Sequence, residues 1–210
     1  TVRLYPLRME DLETALPWMQ QQELMTFYDR LPTVSRDETA AELQYHAGMQ
    51  DAIYLAAWTP GGQCVGMVYF TRVSWIDRCA DLNVLIADPR CRHAVVGAEA
   101  ALLGLCYLFH LLNFHKVYIR VLAHNEPVLR LCRHAGFRRE AALCRYVYQA
   151  GRYRDLYIYG LLMPEFEEFL RGPRTGRYLA LHQRKAGHGP RHGDGNLAGV
   201  DAEKRSAPYA

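Results

Sequence analysis

The sequence predicts an α/β fold in a single domain. Three observations carry this. The chain has 210 residues, half of them hydrophobic, enough for one sizeable core. Strand-like runs stand on both sides of a very apolar helical stretch between Ile86 and Lys116. Regular patterning runs from Val2 to about Leu170 without an internal repeat and dissolves after Gly172.

The elements follow in order. Val2–Leu7 reads as a strand. Glu10 and Asp11 open a helix to roughly Gln21, with Leu12, Leu16 and Met19 on one face. Ser35 followed by Glu38 has the spacing of a capping box, so a second helix runs to about Gly48. Ile53–Trp58 and Cys64–Val73 form a hairpin across the turn Pro60-Gly61-Gly62. Ala80–Ile86 is apolar enough for a buried central strand. A turn over Asp88–Gly97 leads to a helix from about Ala98 to Leu112. Lys116–Leu122 is a strand. Pro127–Ala135 is a short helix specified at both ends, by Pro127 in its first turn and Gly136 just past its last. Ala141–Tyr148 and Tyr153–Met163 pair around Gly151, and a helical turn over Glu165–Leu170 follows Pro164.

Charge is unevenly placed. Residues 1–170 hold 17 Lys and Arg against 19 Asp and Glu, and residues 171–210 hold 8 against 3, which together give the net +3. The domain is thus expected to span 1–170, with 171–210 a basic, Gly- and His-rich flexible tail. So weak a net charge says little about nucleic acid, and no nucleic-acid partner is expected. No apolar run is long enough for a membrane helix, and the N-terminus lacks the pattern of a signal peptide, so a cytoplasmic protein is expected. The six cysteines form no C-x-x-C pair and read as reduced thiols. His182, His188 and His192 lack carboxylate or cysteine partners at fixed spacing, so no metal site is expected.

Two segments carry chemistry. One is DLNVLIADPRCRHAVVGAEA, from Asp81 to Ala100; the other is NEPVLRLCRHAGF, from Asn125 to Phe137. In the first, a strand runs through a turn into a helix whose opening N–H groups, expected from Val95 to Ala98, can hold a diphosphate. Arg92 adds positive charge nearby. Asn125 is also a good cap for the helix at Pro127, and Cys132 suits a small core position.

Read together, the two segments resemble the GCN5-related N-acetyltransferases (GNAT), of the type that acts on ribosomal-protein N-termini or small amines. The first matches their Asp-Pro followed by R/Q-x-x-G-x-G/A, here Asp88-Pro89 and Arg92 through Gly97; the second matches Asn125, Cys132 and Gly136-Phe137. The resemblance covers about residues 2–163. It implies a mixed central sheet with helices on both faces. It implies acetyl-CoA as co-substrate, with Leu85, Ile86 and Ala87 bonding the pantetheine arm as an added strand would. It places Arg92, His93, Val95, Gly97, Ala98 and Asn125 on the cofactor. It aligns Asp81 with the strand acid used as general base, and Cys132 with the usual tyrosine acid; His124 and Tyr148 are fallback bases. Asp81 has a second reading, as a partner of Arg78 or Arg120. Arg120 stands where the ribosomal type places a glutamate. Val95 and Cys132 depart from the family pattern, Val95 replacing a glycine that permits close approach and positive φ. The acceptor implied is the primary amine of a small molecule or peptide N-terminus, attacking directly, and a homodimer is allowed. Two alternatives stay open: another acyl donor or reaction on the same fold, or a non-catalytic binding module.

Overall fold

The computed structural model describes residues 2–8, 11–19, 35–92 and 94–172. Seven strands form one sheet: β1 (Arg3–Pro6), β2 (Ile53–Trp58), β3 (Cys64–Ser74), β4 (Cys79–Ile86), β5 (Lys116–Leu122), β6 (Arg138–Gln149) and β7 (Arg152–Leu162). Their spatial order is β1-β2-β3-β4-β5-β7-β6. Every neighbouring pair is antiparallel except β4 and β5, which run parallel and make the sheet mixed.

The helices are α1 (Leu12–Met19), α2 (Arg36–Met49), α3 (Ala94–Cys106), α4 (Glu126–His134) and α5 (Met163–Arg171). They lie on both faces of the sheet. On one face Trp18 of α1 packs with Tyr69 against Met67, Leu85 and Ala87. On the other, α3 crosses β3 where Gly104 meets Val68 and Phe70; a Cβ there would stand 2.7 Å from a Val68 methyl. The α3 face holds the main core, with Phe109 and Phe166 at 5.1 Å between ring centroids and Val117 and Leu161 fully buried. Apolar on all sides, α3 is buried as such a helix must be. Glu99, buried within it, accepts the Val2 N–H at 3.0 Å and fixes the start of β1.

Local chemistry explains the boundaries. The Ser35–Glu38 capping box is present in both directions. Gly136 (φ 87°) ends α4 in the left-handed region, and Ala150 with Gly151 (φ 48° and 78°) turns β6 into β7. One helix departs from its expected span at both ends. α3 begins at Ala94, four residues earlier than the expected Ala98, because no glycine interrupts Ala94-Val95-Val96. Its continuation is not α-helical: Tyr107–Leu111 forms a π turn, closed by the Leu112 N–H donating to the Tyr107 carbonyl at 3.1 Å. No helix among the described residues is long and apolar enough to cross a membrane. All six cysteines are free thiols. The expected helical residues Gln20 and Gln21, the Met25–Leu31 loop, which is expected to border the acceptor site with the last strand pair, and the tail from Pro173 lie outside the described residues.

Candidate acyl-transfer site

The site starts from a break in the sheet. β4 and β5 pair only over Cys79↔Lys116, Ala80↔Val117 and Asp81↔Tyr118. Beyond that point β4 continues on β3 and β5 on β7, so the two parallel strands part toward their C-terminal ends. The gap is a slot bounded by strand edges, the kind of place where an extended chain can add as a strand. Ala87 N–H donates to the Val65 carbonyl at 2.9 Å, so it is committed to β3. In an antiparallel ladder the amides alternate, which turns Leu85 toward β3 as well and Leu82 and Ile86 toward the slot. Of the three residues expected to bond a pantetheine arm through N–H, only Ile86 presents its amide there. Leu85 and Ala87 instead line the α1 side with their side chains.

The mouth is closed by the turn into α3. Asp88, buried at 9% exposure, accepts from Gln63 Nε2 at 2.7 Å, from the Arg90 N–H at 2.9 Å and from the Arg90 guanidinium. Those bonds, the Arg90 side chain first, hold its carboxyl below the usual carboxylate range. Arg92 donates to the Ala87 carbonyl at 2.8 Å and braces the turn from the other end. The α3 opening follows at once. With Ala94 as the first helical residue, Ala94, Val95 and Val96 N–H lie upstream of the i→i−4 ladder. The Gly97 and Ala98 amides enter that ladder, so the available donors sit earlier than the expected Val95–Ala98. Val95 does not have positive φ, and its side chain is 67% exposed. The valine is unstrained there and its amide keeps its direction. His93 lies outside the described residues. A cleft of about 750 Å³ opens beside the turn, walled by Trp18, Trp58, Gln63, Cys64 and Arg90.

On the β5 side, Asn125 begins α4 without a side-chain capping bond. Its backbone is used, the N–H by Leu122 O at 2.9 Å and the carbonyl by Leu129 N–H at 3.0 Å. The capping role expected of the side chain is therefore absent.

Two expected catalytic groups sit elsewhere in the chemistry. Asp81 is buried at the vertex of the slot, but its Oδ2 accepts from Arg120 Nε at 2.7 Å and from Arg72 through Nε at 3.0 Å and Nη2. A carboxylate holding two guanidiniums is an anchor, not a poised base. The reading that pairs it with Arg120 is the one the geometry carries. Arg72 joins instead of Arg78 because a bulge between Thr71 and Ser74 gives Arg72 a φ of 50° and turns it across the face. Cys132 is buried at 3% in α4, and burial pushes its thiol up to about 12. So weak an acid is poorly matched to protonating a departing thiolate. Cys132 is a core residue, its carbonyl receiving the Phe137 N–H at 2.9 Å.

Two cations were not legible as site residues. Arg72 depends on the bulge, which no pattern announces. Arg154 had a signal: Arg154, Leu156 and Ile158 alternate along β7, which puts a charge on the strand's partly buried side. Its Nε is buried without a hydrogen-bond partner among the described residues. His124 lies close by, and burial, then the charges of Arg154 and Arg152, lower its pKa.

A mixed sheet opened between two parallel strands, with the amides of a helix start at the mouth, is the frame of an enzyme that draws an acyl group from a nucleotide thioester. A family model described as an acetyltransferase (GNAT) domain matches residues 1–138, and the chain belongs to that family. It is an acetyl-CoA-dependent N-acyltransferase. Related sequences include a spermidine N(1)-acetyltransferase of Escherichia coli K12, 25% identical over 74% of this chain and 82% of that one. Another, of Vibrio cholerae, is 31% identical over 44% of this chain and 53% of that enzyme. Among solved structures, spermidine N-acetyltransferase from Vibrio cholerae in complex with CoA and spermine superposes with a TM-score of 0.75 at 23% identity, covering 79% of this chain and 98% of that one. At that identity the likeness bears on the fold.

Proposed function

We propose that the chain transfers the acetyl group of acetyl-CoA to the primary amine of a small molecule or a peptide N-terminus, by direct attack at the slot between β4 and β5. The observation that carries this is the end of the β4–β5 ladder at Asp81, with the first-turn amides of α3 at the mouth it opens. The Ala94–Val96 amides and the helix dipole hold the diphosphate. Ile86 N–H and the Asn125 side chain hold the arm. An Ile86 amide aimed into the slot can polarise the thioester carbonyl, a donor fixed before the reaction begins.

The proton of the attacking ammonium goes to His124. Burial and two neighbouring arginines favour its neutral form, and it stands at the end of β5 beside Asn125. Asp81 sets the slot's vertex by tying β4 to β5 through Arg120. Spermidine and spermine, bound or acetylated by the relatives, are the first amines to try.

Isothermal titration with acetyl-CoA, followed by thiol release across a panel of amines, tests the proposal. Saturable binding and amine-dependent release of CoA are the expected results. No binding at millimolar ligand overturns it, and binding without thiol release on any amine leaves a non-catalytic module.

A further inference from the structure

Given acetyl transfer to an amine, the side from which the acceptor arrives is fixed by packing. The α3 face of β5 and β7 is filled by Val117, Leu161, Phe109 and Phe166, all buried. An amine therefore reaches the slot from the opposite face, which carries Arg120, Leu156, Ile158 and Arg154, related by β5–β7 register and strand alternation. The last ladder pair is Leu122↔Leu156, and Ala123 N–H still donates to the Asp155 carbonyl at 2.9 Å. One step further, Arg154 stands opposite His124, at the open end of the slot.

Among the described residues, the carboxylates of that face are already engaged. Asp81 is already shared by Arg72 and Arg120, and Glu140 is taken by Lys116 at 2.7 Å. Arg154 Nε is buried and has no hydrogen-bond partner among the described residues. Arg152, exposed on the same strand, adds a second cation. A buried donor of a charged group without a partner is costly, and native proteins keep such groups where a ligand satisfies them. A polyamine would bring further positive charge to this place. A guanidinium instead presents two parallel donors that fit a carboxylate or a phosphate.

We propose that the acceptor is an amine that also bears a carboxylate or phosphate, and that Arg154 binds this anionic group and determines substrate specificity. The amine end then lies toward the slot and His124.

The test compares kcat/KM for thiol release on matched pairs, with the full chain and saturating acetyl-CoA. The pairs are amino acids against their carboxamides, phosphoethanolamine against ethanolamine, and spermidine alone. The anionic member of at least one pair is expected to lead its neutral partner by about tenfold or more. The carboxylate and phosphate arms separate the two sources of the anion. Arg154→Ala should abolish the preference by raising KM, leave acetyl-CoA affinity unchanged, and be partly rescued by Arg154→Lys. Preference for spermidine, or an anion preference that survives Arg154→Ala, overturns this inference while acetyl transfer stands. If no amine releases thiol, acetyl transfer itself fails. Titration of the CoA-loaded protein with N-acetyl amino acids and acetylated phosphoethanolamine then decides anion binding separately: saturable binding lost in Arg154→Ala upholds it, and no binding overturns it.

Discussion

At the scale of the residue, the decisive fact is that the carboxylate nearest the vertex is already engaged. Asp81 Oδ2 is held by guanidiniums from two strands, one of them re-aimed by a bulge. Replacing it removes the shared anion and leaves Arg72 and Arg120 facing each other. Both arginines reach solvent in part, which limits the cost to about 2 kcal/mol, below that of a fully buried pair. Asp81→Asn should therefore lower the melting temperature by roughly 5 °C while leaving the shape of the pH–rate profile intact. His124→Gln should do the reverse. The folded pKa of His124 lies below the ordinary histidine value, so its base form is lost as pH falls through that lowered value. The wild-type rate should fall along this acidic limb, and His124→Gln should remove the limb with a loss of about 100-fold in kcat. A limb that disappears in Asp81→Asn and persists in His124→Gln would return the base role to Asp81. The burial of Cys132 and its pKa of about 12 make it a spectator in either case.

At the scale of the element, α3 decides how the nucleotide is held. Val95 occupies the first turn with ordinary helical φ and an exposed side chain. A negative charge at that place acts on two quantities in opposite directions. Toward the helix it is favourable, because it faces the positive end of the macrodipole, by about 0.3–1 kcal/mol. Toward a diphosphate on the same amides it is repulsive. Val95→Asp should thus leave the melting temperature unchanged or slightly raised and weaken acetyl-CoA by about tenfold or more. Calorimetry and thermal denaturation on one sample measure both, and an unchanged affinity would move the phosphates away from this turn. Strand and helix identities were legible because each carried its own period and caps: Ile53–Trp58 and Lys116–Leu122 coincide with the expected spans, and Ser35 starts α2 where its capping box says. Pairing was less legible. The commitment of the Ala87 amide to Val65 and the bulge that aims Arg72 both depend on which strand lies beside which. Register is set by contacts distant in sequence, so a local pattern shows that Asp81 lies on a strand and not what faces it.

At the scale of the whole molecule, the core and the charge are distributed differently along the chain. Among the described residues the last fully buried side chain is Phe166 of α5, packed on Phe109, and Thr1–Leu170 forms one compact unit. The positive excess comes afterwards. A chain ending at Gly172 keeps 18 Lys and Arg against 19 Asp and Glu, a net charge of −1 in place of +3. Among the described residues every buried contact that fixes the slot lies before the cut, so thermal stability should change by no more than about 2 °C. Acetyl-CoA is an anion, and its encounter with the protein depends on the total field. The shortened chain should bind it a few-fold more weakly at low ionic strength, and the difference should vanish as added salt shortens the Debye length to about 8 Å near 0.15 M. A second cut, before Met163, removes Phe166 and with it a contact of about 3–5 kcal/mol, and should unfold the protein or nearly so. Thermal denaturation of the two truncations and titration of the longer one at two salt concentrations measure this. If the Gly172 truncation melts well below the full chain, the basic segment contributes to the folded body and the boundary near residue 170 is misplaced. If its weaker binding persists at high salt, residues beyond 172 contact the nucleotide directly.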